Sequence, residues 1–480
     1  MKEFFETKAA NKDKDGNSCI ISVAGRTHDV DILYLESPTH NFLQRAVQTV
    51  LDIHRGEDWG DVLVFLPGSE DIDNAVRLLE DMYDKPDLIA LPLYSSLPQK
   101  LQMRVFEPTP PKHRKVVFAT NIAETSVTIE GIKFIVDSGF TKMKYFDPES
   151  GVDSLICCSI SQAAAWLVQR AGRAGRTQSG KCFRLMTESS FQSLLPSSPP
   201  EMQRTDISWV VLQLKALGID DVLHFDFLSP PPVKLMLFAL ELLFSLGALD
   251  SSCHITAIGE QMAEMPVEPR LAKALLSSVA LGCTEETLSI AAMCSIDHPF
   301  ISMRTRANDE AKQRLLDCKG ELSVAQGDHL TLLNIYNCYE QSGHSSSWCD
   351  SMCLQSRLLS RAREVRGKLR GMLKRMMLEG EVMSSCGEDN DTIMKSIVSG
   401  YFANVAQLGS GGMYWTVRGR IPVNVHPTSV IARFGSPPEW VVFHDVVHTD
   451  TILIREVSRI QPMWLIELAE HYYDSSKVRT

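Results

Sequence analysis

Gln169-Arg-Ala-Gly-Arg-Ala-Gly-Arg176 places an arginine at every third position, Arg170, Arg173 and Arg176, with only Ala and Gly between them. On a helix this spacing splays the three side chains around the axis, yet Arg173 and Arg176 stay near enough to lean on one anion. A guanidinium presents a planar fork of donors that suits phosphate, and small neighbours let a partner approach the backbone. Taken alone, an arginine-rich octamer is more often a solvated basic turn. Its surroundings decide.

Upstream of it, short apolar runs alternate with amphipathic stretches. Asp31-Ile-Leu-Tyr-Leu35, Asp61-Val-Leu-Val-Phe-Leu66, Leu88-Ile-Ala-Leu-Pro-Leu93, Lys115-Val-Val-Phe-Ala119 and Ile132-Lys-Phe-Ile-Val136 suit buried strands; 42–54 and 71–83 suit helices. Such alternation predicts right-handed crossovers and a parallel sheet with helices on both faces. Binding residues are then expected at the carboxyl ends of the strands. Leu195-Pro-Ser-Ser-Pro-Pro200 closes the region. From 201 to about 370 the periodicity is helical, with 207–217 and 233–246 on either side of the stiff Ser229-Pro-Pro-Pro232. Beyond about 371, the stretches 393–405, 413–417, 421–425, 440–443 and 452–457 are β-rich and broken by Gly and Pro, which predicts a small barrel.

Length and composition agree with several folded domains. At 480 residues the chain exceeds one hydrophobic core, and 44% hydrophobic with 22% charged residues argues against a disordered polymer. The formal charge of -11 does not advertise nucleic-acid binding, although a basic channel can lie inside an acidic whole. Twelve cysteines without paired spacing suit reduced thiols in the nucleus or cytosol. His344, Cys349 and Cys353 lack a fourth ligand, and the two cysteines have helical spacing, so no metal site is expected there. The apolar run 235–249 is interrupted by Glu241 and too short to span a bilayer, so no membrane association is expected.

In this setting the opening octamer resembles motif VI of superfamily 2 helicases. Ala119-Thr-Asn-Ile-Ala-Glu-Thr-Ser-Val-Thr-Ile-Glu-Gly131 resembles motif V of the DEAH-box family, and Gly60-Asp-Val-Leu-Val-Phe-Leu-Pro-Gly-Ser-Glu-Asp-Ile72 its motif IV. Leu93-Tyr-Ser-Ser-Leu-Pro98 with Arg104-Val-Phe106 resembles the family signature that follows. The likeness continues through Gln213-Leu-Lys-Ala-Leu-Gly218 and Phe227-Leu-Ser-Pro-Pro-Pro232 (winged helix) and Gly327-Asp-His-Leu330 (helical ratchet). Val425-His-Pro427, Ser429 and Trp464-Leu-Ile-Glu-Leu-Ala469 complete it in an oligonucleotide-binding (OB) fold. The resemblance implies a multidomain chain. A RecA-like α/β domain with a parallel sheet would occupy 1–185, a winged helix 186–255, a helical ratchet domain 256–371 and a C-terminal OB-fold barrel 372–480.

It also implies roles. Gln169, Arg173 and Arg176 would face the γ-phosphate of ATP and its attacking water; Phe106, Thr128 and Glu130 would lie on the nucleotide. Thr120, Asn121, Ser95 and Ser96 would touch RNA, and 140–161 would form a β-hairpin that guides strands. Local readings compete: Phe106 as a core residue, Thr120 and Asn121 as helix caps, His426-Pro427 as a plain turn. The implied cofactor is ATP with Mg²⁺. The implied partners are single-stranded RNA or a ribonucleoprotein, spliceosomal proteins and a G-patch protein, in the nucleus or else the cytoplasm.

The chain departs from the family in places. Pro67 and Ser69 stand where Thr and Gln are usual, Glu130 replaces Asp, the stretch 163–168 is about two residues longer than usual, and Asp450-Thr451 replaces a Lys-bearing stretch. No G-x-x-x-x-G-K-[ST] phosphate loop occurs, nor Asp-Glu-Ala-His. The expectation is therefore a helicase chain without its first RecA-like domain, inactive alone. The alternative is a non-catalytic module that binds RNA or protein.

Overall fold

The computed structural model describes residues 19–21, 28–125, 128–165, 170–301, 309–377, 382–433, 436–448 and 451–473. The chain divides into two units, Met1–Met143 with Ile156–Pro200, and Lys144–Leu155 with Glu201–Thr480.

The first unit contains strands β1 (Val30–Tyr34), β2 (Asp61–Phe65), β3 (Leu88–Leu93), β4 (Arg114–Ala119) and β5 (Ile132–Asp137). A hairpin of β6 (Phe140–Asp147) and β7 (Val152–Ser159) follows, and β8 (Gly180–Arg184) returns to the sheet. The sheet order is β1-β8-β5-β2-β4-β3, with every pair parallel. The five apolar runs all became strands: β2, β4 and β5 are buried on both faces and need no alternation, whereas the edge strands β1 and β3 are only partly buried.

The helices distribute differently from expectation. Phe42–Gly56 and Ser69–Met82 both pack on one face, where Val47, Val50, Ile72 and Leu79 meet Val62, Val64, Val116 and Phe118. The opposite face presents Leu63, Phe65, Val117 and Ile135, covered by Val105, Ala123, Ile129, Ala171 and Ala174 from short turns. Every one of those turns belongs to a motif quoted above.

In the second unit, helices Ser208–Ala216, Val233–Ser245 and Ala257–Glu264 precede a larger helical array: Pro269–Leu281, Thr284–Cys294, Asp309–Leu322, Asp328–Gln341 and Ser356–Met376. The barrel comprises β9 (Val405–Leu408), β10 (Tyr414–Thr416), β11 (Pro422–Val425), β12 (Trp440–His448) and β13 (Ile452–Arg459). Their order is β13-β11-β10-β9-β12, and β12 pairs with β13 to close it around Ala406, Tyr414, Val441 and Ile454. The hairpin tip, 144–155, belongs to this unit, with Val152 in the barrel core.

One stretch is corrected. Residues 393–405, read as β-rich, are mostly the α-helix Asn390–Tyr401, and only Val405 begins a strand. Its buried Ile393, Met394, Ile397, Val398 and Tyr401 recur at three- and four-residue spacing, and Asp389 caps it by accepting from Thr392 N at 3.2 Å. The β-branched content suggested strand; burial on a helical period prevailed. His426-Pro427 does form a turn after β11: Ser429 N donates to the His426 carbonyl at 2.9 Å, and the His426 Nδ1–Thr428 Oγ1 distance is 2.6 Å. His344 pairs with Glu340 (Nε2 to Oε2, 3.0 Å), while Cys349 is packed in an apolar cluster.

Candidate functional site

The arginine run crosses one face of the parallel sheet, and its three arginines have three environments. Arg170 is buried beside the carboxyl end of β5. Its Nη1 donates to Asp137 Oδ1 at 2.7 Å and its Nε to Glu124 Oε1 at 2.5 Å, and the guanidinium lies 4.9 Å from the Phe65 ring centre. Burial opposes its charge, but Asp137 and Glu124 together hold its pKa above the ordinary value. A single 3-10 turn, Ala171–Arg173, follows instead of an extended α-helix. Ala171 and Ala174 are fully buried against the sheet. The small residues thus admit the protein's own strands, not only an outside anion.

Arg173 is buried and donates to the Glu124 carbonyl. Burial pushes its pKa down to about 10, and the neighbouring charge of Arg176 acts in the same direction, so it remains a cation at neutral pH. Arg176 is exposed and its Nη1 donates to Thr128 Oγ1. Gln169 lies outside the described residues.

The other expected site residues fall into two groups. Phe106, Thr128 and Glu130 belong to segments gathered by Asp61 at the amino ends of β2 and β4. Asp61 Oδ1 accepts from Lys115 N at 3.0 Å, its Oδ2 accepts from Thr109 Oγ1 at 2.6 Å, and its own N donates to the Gly131 carbonyl at 3.0 Å. Lys115 Nζ in turn donates to the carbonyls of Val105 and Glu107, 2.9 Å each, which fixes Phe106 between them. Gly131 has φ +85°, and a Cβ there would stand 2.9 Å from Asp61 Oδ2, so the approach needs glycine. Phe106 is 40% exposed whereas Val105 is fully buried, so Val105 is the core residue of this turn. Thr128 and Glu130 are exposed.

Ser95, Ser96, Thr120 and Asn121 form the second group, at the carboxyl ends of the edge strand β3 and its neighbour β4. Thr120 N donates to the Leu93 carbonyl at 3.2 Å, joining the two loops. Gln102 Nε2 stiffens the first loop by donating to the carbonyls of Leu97 (2.6 Å) and Ser95 (3.2 Å). The carbonyls of Thr120 and Asn121 accept from Ala123 N and Glu124 N at 3.2 and 2.9 Å. Ser95, Ser96 and Asn121 are exposed, and Thr120 is half-buried.

Only one of these groups is therefore where strand order predicted it. The anchoring roles of Asp61, Glu124, Asp137 and Lys115 were not anticipated. Glu124 and Asp61 lie inside the quoted motifs, and an acidic residue ending a buried strand, as Asp137 does, was an available sign of a buried cation.

Chemically, Arg173, Arg176 and Thr128 offer cations and a hydroxyl, donors that suit phosphate oxygens. The one grouping of three metal-ligating side chains among the described residues lies in the other unit, so the residues beside Arg176 fit the phosphates of a nucleotide better than its metal.

Comparison with known proteins supplies the context. Residues 44–178 match the helicase conserved C-terminal domain. Residues 239–267 match the winged-helix part and 268–332 the ratchet-like part of the helicase associated domain (HA2), and 393–472 match an oligonucleotide/oligosaccharide-binding fold. The chain is 42% identical over 482 residues to the human probable ATP-dependent RNA helicase DHX35, covering 98% of this chain and 67% of that protein. The Pongo abelii counterpart is 41% identical, with 65% of its length covered. The Schizosaccharomyces pombe pre-mRNA-splicing factor ATP-dependent RNA helicase prp22 is 43% identical over 461 residues, 95% of this chain and 38% of the relative. The chain thus spans between about two fifths and two thirds of the length of these relatives.

Proposed function

The chain belongs to the DEAH-box family of ATP-dependent RNA helicases, and we propose that its 480 residues supply the arginine side of an ATP site together with an RNA track. One observation carries the nucleotide half: Arg170 is locked to Asp137 and Glu124, which holds Arg173 and leaves Arg176 exposed beside Thr128. A preset cation offsets charge that develops on a transferring phosphoryl group without reorganising during reaction. Bound ATP with its Mg²⁺ supplies the transferable group. Gln169, Arg173 and Arg176 orient the attacking water and the phosphate oxygens, Phe106 stacks on the base, and Thr128 and Glu130 border the nucleotide.

On the RNA side, the hydroxyl and amide groups of Ser95, Ser96, Thr120 and Asn121 suit a sugar-phosphate backbone, which carries no sequence information. We read 1–185 as the RecA-like domain, 186–255 as the winged helix, 256–371 as the ratchet domain and 372–480 as the OB fold. The names of the relatives support a ribonucleoprotein substrate, a role in pre-mRNA splicing and nuclear residence; a G-patch protein is a further proposed partner.

No phosphate loop and no Asp-Glu-Ala-His occur in these residues, so gripping the phosphates and metal falls to polypeptide outside them. That same feature favours a second reading, a module that binds RNA without hydrolysis. ATP turnover with and without RNA separates them. The 480-residue chain alone is expected to hydrolyse ATP negligibly, and the same chain joined to a phosphate-loop domain to turn over with RNA stimulation. In the joined protein, Arg176→Ala is expected to lower turnover by about 10³-fold or more. Full turnover by the chain alone, or an unaffected Arg176→Ala, overturns the proposal.

A further inference from the structure

Three separate segments of the second unit bring a thiol and two imidazoles to one point. Cys294 ends the Thr284–Cys294 helix, His329 lies in the first turn of Asp328–Gln341, and His444 lies in β12. One ligand-capable atom from each is within 4.8 Å of the other two. His329 is 1% exposed, and its Nε2 has no hydrogen-bond partner among the described residues; Nδ1 of His444 is likewise buried without one. A buried polar atom left unmade costs about 1–3 kcal/mol. Two such atoms, on imidazoles that converge on a thiol, ask for an occupant.

The donor set defines that occupant. Sulfur with two nitrogens suits zinc, whereas Mg²⁺ and Ca²⁺ prefer oxygen. Ser458 Oγ lies 2.9 Å from His329 Nδ1 and accepts from the His329 amide at 3.1 Å. With the ring proton on Nδ1 donated to that same oxygen, the Nε2 lone pair is directed into the cluster, as a metal-bound histidine requires. Burial keeps both imidazoles neutral, pushing the pKa of His329 down to about 3, and keeps the thiol protonated in the absence of a cation. A cleft of about 380 Å³, lined by Glu268, Tyr401, Cys294 and His444, adjoins the point and leaves a fourth position open.

We propose that Cys294, His329 and His444 bind one zinc ion, with water or the Glu268 carboxylate as fourth ligand from the cleft. On binding, the Cys294 thiol releases its proton to solvent as the S–Zn bond forms, and each imidazole contributes a lone pair. Tetrahedral zinc sets its ligand atoms roughly 3.3–3.8 Å apart, so the side chains close by about 1 Å. The ion clips the helical array to the barrel.

Cobalt and zinc titration of the purified, chelator-treated 480-residue chain tests this. One equivalent of Co²⁺ is expected to give tetrahedral d–d bands with a thiolate charge-transfer band, displaced by one equivalent of Zn²⁺, and zinc is expected to raise the melting temperature. Cys294→Ala is expected to lose the charge-transfer band, and Ser458→Ala to weaken zinc binding about 10–100-fold while the circular dichroism is unchanged. No stoichiometric uptake by the wild-type chain, a Co²⁺ spectrum without thiolate charge transfer, or a charge-transfer band that persists in Cys294→Ala overturns the proposal. If Cys294→Ala does not fold, the wild-type spectrum still decides it.

Discussion

Arg170 and Arg176 belong to one short motif, yet burial separates their work. Arg170 neutralises Asp137 and Glu124 inside the protein, and Arg176 stands in solvent. Arg170→Ala would leave two carboxylates facing each other without a cation, a loss of about 3–5 kcal/mol. Arg176→Ala should change stability by no more than about 0.5 kcal/mol. Urea unfolding of both variants checks the contrast, and equal midpoints would contradict it. A second expectation concerns His54, whose Nε2 lies 2.9 Å from Tyr83 Oη and 3.5 Å from Asp87 Oδ2. Burial, aided by Arg114, lowers its pKa from 6.5 against the opposing pull of Asp87. A folded pKa below the unfolded one means stability is fully present above pH 6.5 and is lost as pH falls through the folded value. His54→Gln should therefore reduce the drop in unfolding midpoint between about pH 8 and pH 5. Neither environment was legible at residue scale: the triplet of arginines was visible, but not which one faces inward.

Elements were legible where burial is two-sided and local. The runs at β2 and β4 are apolar along their length, and no partner knowledge is needed to read them. β8, Gly-Lys-Cys-Phe-Arg, was not singled out, because polar side chains interrupt it. It is a strand because β1 and β5 pair with it on either side. The helix Asn390–Tyr401 shows the opposite failure, since Ile and Val favoured strand while packing against Pro269–Leu281 selected helix. That contact is close enough to test. A Cβ on Gly400 would lie 2.0 Å from the Arg270 carbonyl oxygen, so Gly400→Ala should destabilise the second unit by about 1–3 kcal/mol. A thermal melt unchanged by that substitution would show that the two helices have room to part.

For the whole molecule, the proposed RNA binding by a chain with net charge -11 requires a local track of donors and cations. Binding of a single-stranded oligonucleotide should weaken linearly in log–log form with salt, by about 0.7 per phosphate neutralised. Salt-insensitive RNA binding would contradict a phosphate track. By itself the sequence determined the family, the order of parallel-sheet, helical and barrel regions, and the presence of the arginine motif. Those are carried by contiguous runs whose chemistry does not depend on distant neighbours. Tertiary structure alone decided that Arg170 is an anchor while Arg176 stays exposed. It also set Phe106, Thr128 and Glu130 in segments around Asp61 and Ser95, Ser96, Thr120 and Asn121 at the opposite strand ends, and it brought Cys294, His329 and His444 together. Each of these depends on which remote segments meet and how deeply they are buried, and burial is what converts a residue type into an anchor, a cation or a ligand.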